Sequence, residues 1–435
     1  MNGSGGAQPL SAWCRCPRKA EHDKAEHDER SFVTGQKMEF RIEGARALVH
    51  GRLEDTSVHF GSEAGVITGI GMDTTAEGTI DASGLLVLPG IVDVHGDAFE
   101  RQVMPRPRVA FPLDIAFLES DRQAVSNGIT TVFHGVTWSW EPGLRGAENA
   151  RAILAGIERI RPRLGADTRY HLRHETYNLD AEPEINEWLA EGRIDAIAFN
   201  DHMSGIVESA DRAHKLAPMI ERSGLSREDF LAVVERTQRR ASEVPASIER
   251  LAAAANAAGT PLLSHDDTSP QQRRWFRSLG CRLAEFPTTV ETAEEAASQG
   301  DDIVLGAPNV VRGGSHTGWI DASKMIERGL CSVLASYYFY PAPLLAAFAL
   351  AARGVVPLEQ AWMLVSRTPA RAVRLTDRGD IARGQRADLV IVDPSAPDRP
   401  RVVATIVSGR VVHLAQADII ATSGRRRLAV AAAAE

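Results

Sequence analysis

The sequence predicts an α/β protein, a (β/α)8 TIM-like barrel with a small β-sandwich domain built from both termini. Three observations carry that prediction. Between residues 86 and 375, near-continuous apolar runs alternate with helical stretches, the pattern of parallel βα units covered on both faces. The runs number eight, which favours a closed barrel over an open doubly wound sheet. Short strand-like runs separated by Gly fill 38–85 and return at 376–418, so a second, smaller β domain draws strands from both ends. No GxGxxG follows the first strand and no Walker motif is present, which removes support from the nucleotide-binding folds.

Taken in order, residues 1–37 are rich in Gly, Ser, Lys, Glu, His and Asp without apolar periodicity, and read as a disordered extension. Met38 opens the first strand-like stretch and is an alternative start. The first part of the β domain, 38–85, holds Phe40-Arg41-Ile42, Ala47-Leu48-Val49 and Gly65 to Gly71. Barrel strands are expected at 85–95, 128–136, 169–177, 195–201, 261–266, 281–287, 302–309 and 331–338. Helical stretches such as 147–161, 226–258 and 343–353 lie between them. The second part of the β domain, 376–418, contains 387–392 and 405–412, and 419–435 reads as a tail with Arg425-Arg426-Arg427.

Composition narrows the function classes. The chain has 435 residues, 44% hydrophobic and 24% charged, an ordinary globular balance. Its 49 Lys and Arg against 57 Asp and Glu give −8, which speaks against a nucleic-acid partner. Four cysteines are too few for a disulfide scaffold and suit a reducing cytoplasm. No apolar run reaches the ~18–20 residues of a membrane span, so no membrane partner is expected.

Barrel enzymes build their sites at the C-terminal ends of the strands. The first run stops at His95-Gly96-Asp97, the third at His171-Leu172-Arg173-His174-Glu175, the fourth at Asn200-Asp201-His202, and the fifth at Ser264-His265-Asp266-Asp267. A His or carboxylate thus recurs at one strand end after another. Imidazole and carboxylate together suit a divalent metal, one ion or two, with Zn²⁺ first and Mn²⁺ or Fe²⁺ as alternatives. The residues alone therefore read as a metallohydrolase in which a metal-bound water attacks an electrophilic centre.

The stretch Leu88 to Asp97, set after a β domain shared by both termini, resembles the amidohydrolase superfamily. Met104-Pro105-Arg106-Pro107, Gly128 to Val132, Ser264 to Asp267 and Gly306 to His316 narrow the likeness to its ribose 1-methylphosphonate 5-triphosphate diphosphatases, enzymes of the carbon–phosphorus lyase pathway. The resemblance spans roughly 40–415. It implies hydrolysis of the triphosphate of a small phosphorylated sugar to the 5-phosphate and pyrophosphate. It also implies that His95 and Asp97 hold one metal, that Glu175 bridges, and that His202 and His265 hold the second. Barrels of this kind often form homodimers.

A triphosphate needs cationic, preferably bidentate, donors. Arg101, Arg106 and Arg108 follow the first strand and Arg312 with His316 the seventh, all at the expected mouth, and Gly313-Gly314 could offer backbone N–H groups. The likeness breaks at the end of the eighth strand, where the superfamily implies an Asp as ligand and base. Tyr337 stands there, within Ser336-Tyr337-Tyr338, and a phenol is a poor base at neutral pH. Either Asp266 or Asp267 takes over proton transfer, or Tyr337 is an unusual ligand, or catalysis is impaired. The alternative reading is a hydrolase of C–N bonds in amides or cyclic ureas, which would share the metal ring without needing the basic mouth.

Overall fold

A computed structural model describes residues 38–73, 76–106, 109–208, 212–314 and 321–422. The two expected tails, apart from 419–422, lie outside the described residues, as do Arg108 and His316. The eight expected barrel strands are present: Ile91–Gly96, Ile129–Trp138, Asp167–Glu175, Ala196–Asn200, Leu262–His265, Leu283–Glu285, Asp302–Gly306 and Val333–Ala335. They lie side by side in chain order, all parallel. A parallel bridge between Gly96 and Tyr337 joins the last strand to the first. There Tyr337 N donates to His95 O at 2.9 Å, and Asp97 N donates to Tyr337 O at 2.9 Å.

Helices cover the outside because their sequences carry one apolar stripe. Ala147–Ile160 buries Ile153, Leu154, Ile157 and Ile160, a spacing that places all four on one face, against the second and third strands. Pro270–Ser278 starts where Ser269 accepts from Gln272 N, with Pro in the first turn, where its missing N–H costs nothing.

The β domain is two sheets around a shared core of Ile42, Val58, Phe60, Val87, Ile391 and Ile406. Its limits differ from the sequence expectation at two places. The apolar run 85–95 divides at Gly90. Leu86–Pro89 pairs in the sandwich with Leu389–Asp393, and Ile91–Gly96 opens the barrel. A Cβ at position 90 would lie 2.2 Å from Thr130 Oγ1, so the crossing needs glycine. Beyond 418, Ile420–Thr422 is not a tail but a strand paired with Gly78–Asp81. The base of the barrel is tied to this domain by buried Arg378, which donates to Asp167 at 2.6 Å, Thr131 at 2.8 Å and Asp377 at 2.8 Å.

Candidate active site

Side chains alternate along a strand, so each barrel strand sends every second residue toward the axis. Val94, Phe133, Ala198, Leu263, Leu283 and Val333 pack into an apolar plug. Chemistry begins two residues further along the same faces, where Leu263 is followed by His265 and Leu283 by Glu285. On the third strand His171, Arg173 and Glu175 occupy successive inward positions, all buried. A register shift between Asp93 and Gly96 breaks the alternation of the first strand, and His95 joins the inward set.

His95 is fully buried, with its Nδ1 2.9 Å from Glu285 Oε1 and its ring 5.5 Å from that of His171 and 5.6 Å from that of His265. His171 Nδ1 donates to Val94 O at 3.0 Å, which leaves the lone pair on Nε2. His95 Nε2, His171 Nε2 and Glu285 Oε2 are buried without a hydrogen-bond partner. Interiors rarely leave polar atoms unpaired, because each costs its full desolvation. Burial holds His95 well below the usual imidazole range and His171 at about 4, so both are neutral and can donate lone pairs. His95, His265 and Glu285 present ligand atoms within 4.8 Å of one another. These donors fit one divalent ion.

The other expected ligands are arranged differently. Arg173, 3% exposed, places Nη1 3.7 Å from Asp97 Oδ2 and Nη2 3.4 Å from His265 Nε2. Glu175 Oε1 lies 2.5 Å from His202 Nδ1. Burial pushes Glu175 up, but the His202 charge and hydrogen bonds outweigh it and hold the carboxyl at about 2. Glu175 in turn raises His202. What sets this second group apart from the first is the guanidinium of Arg173 beside it, a fixed cation that fits poorly with a second dication.

Of the expected proton-transfer groups, Asp266 reaches the site, its Oδ2 3.0 Å from His265 Nδ1. Burial raises its carboxyl, yet His265, His202 and Arg173 prevail and keep it below the ordinary value. Asp267 corrects the expectation. The left-handed backbone of Asp266, φ +59°, turns the chain, and Asp267 points to Ser264 Oγ at 2.6 Å and buried Arg273 at 3.0 Å. That is a structural tie. Tyr337 faces the ring of His95 at 5.8 Å, and burial pushes its phenol up to about 12, so at neutral pH it is a hydrogen-bond donor and no base.

At the mouth, Arg101 sits over the Tyr338 ring at 5.8 Å, and Arg312 donates to the Tyr338 hydroxyl at 3.4 Å. Arg106 is exposed. Gly313 and Gly314 depart from the expectation, because their N–H groups bond Val310 O at 3.2 Å and Asn309 O at 2.9 Å, closing helix Ala307–Arg312. Neither is free for a phosphate. Sequence reasoning missed Glu285 and gave Arg173 no role. The period-two step from Leu283 to Glu285 was the available signal for the first.

The amidohydrolase family model matches residues 347–413. The alpha-D-ribose 1-methylphosphonate 5-triphosphate diphosphatase of Escherichia coli is 34% identical over 325 residues, covering 72% of this chain and 84% of that protein. The chain belongs to the amidohydrolase family. This amidohydrolase is accordingly a hydrolase of a metal-dependent superfamily. Among solved structures, the dihydropyrimidinase of Brevibacillus agri superposes with a TM-score of 0.61 at 14% identity, covering 87% of this chain and 95% of that one. The β-aspartyl dipeptidase of Fervidobacterium islandicum gives 0.56 at 17%, covering 87% and 97%. At such identities the likeness carries the fold alone. Among the described residues of this amidohydrolase, no helix is long and apolar enough to cross a membrane.

Proposed function

We propose that this amidohydrolase converts α-D-ribose 1-methylphosphonate 5-triphosphate to the 5-phosphate and pyrophosphate. The observation that carries this reading is the 34% identity to the diphosphatase, over most of both chains. The mouth supports it, because Arg101 and Arg312 flank one phenol and offer two cationic groups to a polyphosphate. Tyr338 spaces these two cations, and exposed Arg106 is a third candidate.

His95, His265 and Glu285 would hold one divalent ion, Zn²⁺ first by donor chemistry, with Mn²⁺ or Fe²⁺ as alternatives. Such an ion supplies Lewis acidity toward a phosphoryl oxygen and lowers the pKa of a bound water. Glu285 fixes the ring of His95 through Nδ1. Asp266, ionised at neutral pH, accepts the proton from the attacking water at its carboxylate oxygen. Tyr337, protonated, donates a hydrogen bond at the mouth, and the buried ring of aromatic and imidazole groups limits water entry. The Asp266 role displaces the other two sequence candidates, Asp267 and Tyr337.

The test is steady-state pyrophosphate release from the ribosyl triphosphate, set against hydrolysis of amides and cyclic ureas. Pyrophosphate release with no amide hydrolysis is expected. Amide or cyclic-urea turnover without pyrophosphate would overturn the reading.

A further inference from the structure

We infer that Arg173 is a built-in second cation of the active site, standing where a second metal ion would otherwise be held. The inference rests on the metal-dependent reading above and goes beyond it. Arg173 takes the middle inward position of the third strand, between His171 and Glu175. Its guanidinium spans the site from Asp97, just past the end of the first strand and 3.7 Å away, to His265 on the fifth, 3.4 Å away. Those two residues are the ones that the family resemblance assigns to different ions. The remaining donors of a second ion, Glu175 and His202, are hydrogen-bonded to one another, Oε1 to Nδ1 at 2.5 Å.

A guanidinium does not lose its proton in a protein, so its charge is permanent. It is buried here, and with one dication already held by His95, His265 and Glu285, a second would meet poorly screened repulsion from both cations. The carboxylate of Asp97 is thereby matched by a fixed cation in place of a metal. The enzyme thus holds one exchangeable ion and one covalently attached positive charge.

Metal content decides this independently of turnover. The full-length protein and Arg173→Met are saturated with Mn²⁺, desalted, and examined by elemental analysis and electron paramagnetic resonance. One equivalent with an uncoupled six-line spectrum is expected for the wild type, and two equivalents with an exchange-coupled spectrum for Arg173→Met. Arg173→Gln, which removes the charge but keeps hydrogen-bonding capacity, likewise takes two and covers the case in which the Met variant fails to fold, while Arg173→Lys, which keeps the charge, stays at one. Two equivalents in the wild type overturn the inference. So does a folded Arg173→Met that remains at one. A wild type that binds none instead overturns the metal-dependent reading, so the two failures are distinguishable.

Discussion

The two ends of the barrel handle buried charge in opposite ways. At the base, every guanidinium nitrogen of Arg378 is hydrogen-bonded, to Asp167, Thr131 or Asp377, and Asp388 lies within 3.8 Å. At the top, His95 Nε2, His171 Nε2 and Glu285 Oε2 are equally buried and have no hydrogen-bond partner. The Arg378 guanidinium is satisfied by the fold itself and joins the barrel to the sandwich. The top atoms cost desolvation that nothing in the chain returns, which is tolerable where a ligand completes the set. A buried polar group therefore speaks of stability or of function according to whether its partners are already present.

The sharpest break of that contrast is His265→Ala. It should lower turnover about a thousandfold, some 4 kcal/mol, with little change in the urea midpoint. A large stability loss with turnover intact would reverse the roles of the two ends. Arg378→Met should do the converse. Removing one partner of a buried pair costs about 3–5 kcal/mol, read as a shifted unfolding midpoint, while kcat per folded molecule holds. Asp266→Asn should reduce kcat about a hundredfold and flatten the acidic limb of its pH profile. An unchanged limb would assign the proton to another group.

The smallest effect is the acid response of the base. Burial pushes Asp167 up, but Arg169 and Arg378 together hold it below the ordinary carboxylate value. A carboxyl with a lowered folded-state pKa contributes stability above its unfolded pKa and loses it as pH falls through the folded one. Wild type should lose stability between about pH 4 and lower values more steeply than Arg378→Met. Parallel curves in denaturant titrations would remove Asp167 from the account.

Much of this was legible in the residues. The eight strands were readable because runs buried on both faces are apolar throughout, and His95, Glu175 and His265 because each ends such a run. Glu285 was hidden by its setting. It closes a strand of three residues and is followed by Phe286-Pro287, so the local pattern is too short to place a carboxylate inside. Arg173 was given no role, since nothing local says that a guanidinium is enclosed by Asp97 and His265 from distant parts of the chain. Asp266 and Asp267 were indistinguishable by adjacency. One left-handed residue sends them to different places.

The bridge that closes the barrel has a consequence for how this site can change. Tyr337 serves the closure only through its amide and carbonyl, bonded to His95 and Asp97. Its φ of +55° is a conformation that Asp and Asn adopt more readily than Tyr. The main chain at 337 is thus committed by the closure, and its left-handed backbone favours a carboxylate over the phenol that now packs on His95, Phe286 and Tyr338. Tyr337→Asp would therefore keep the closing main-chain bonds and ease the backbone, while giving up the ring contacts of the phenol.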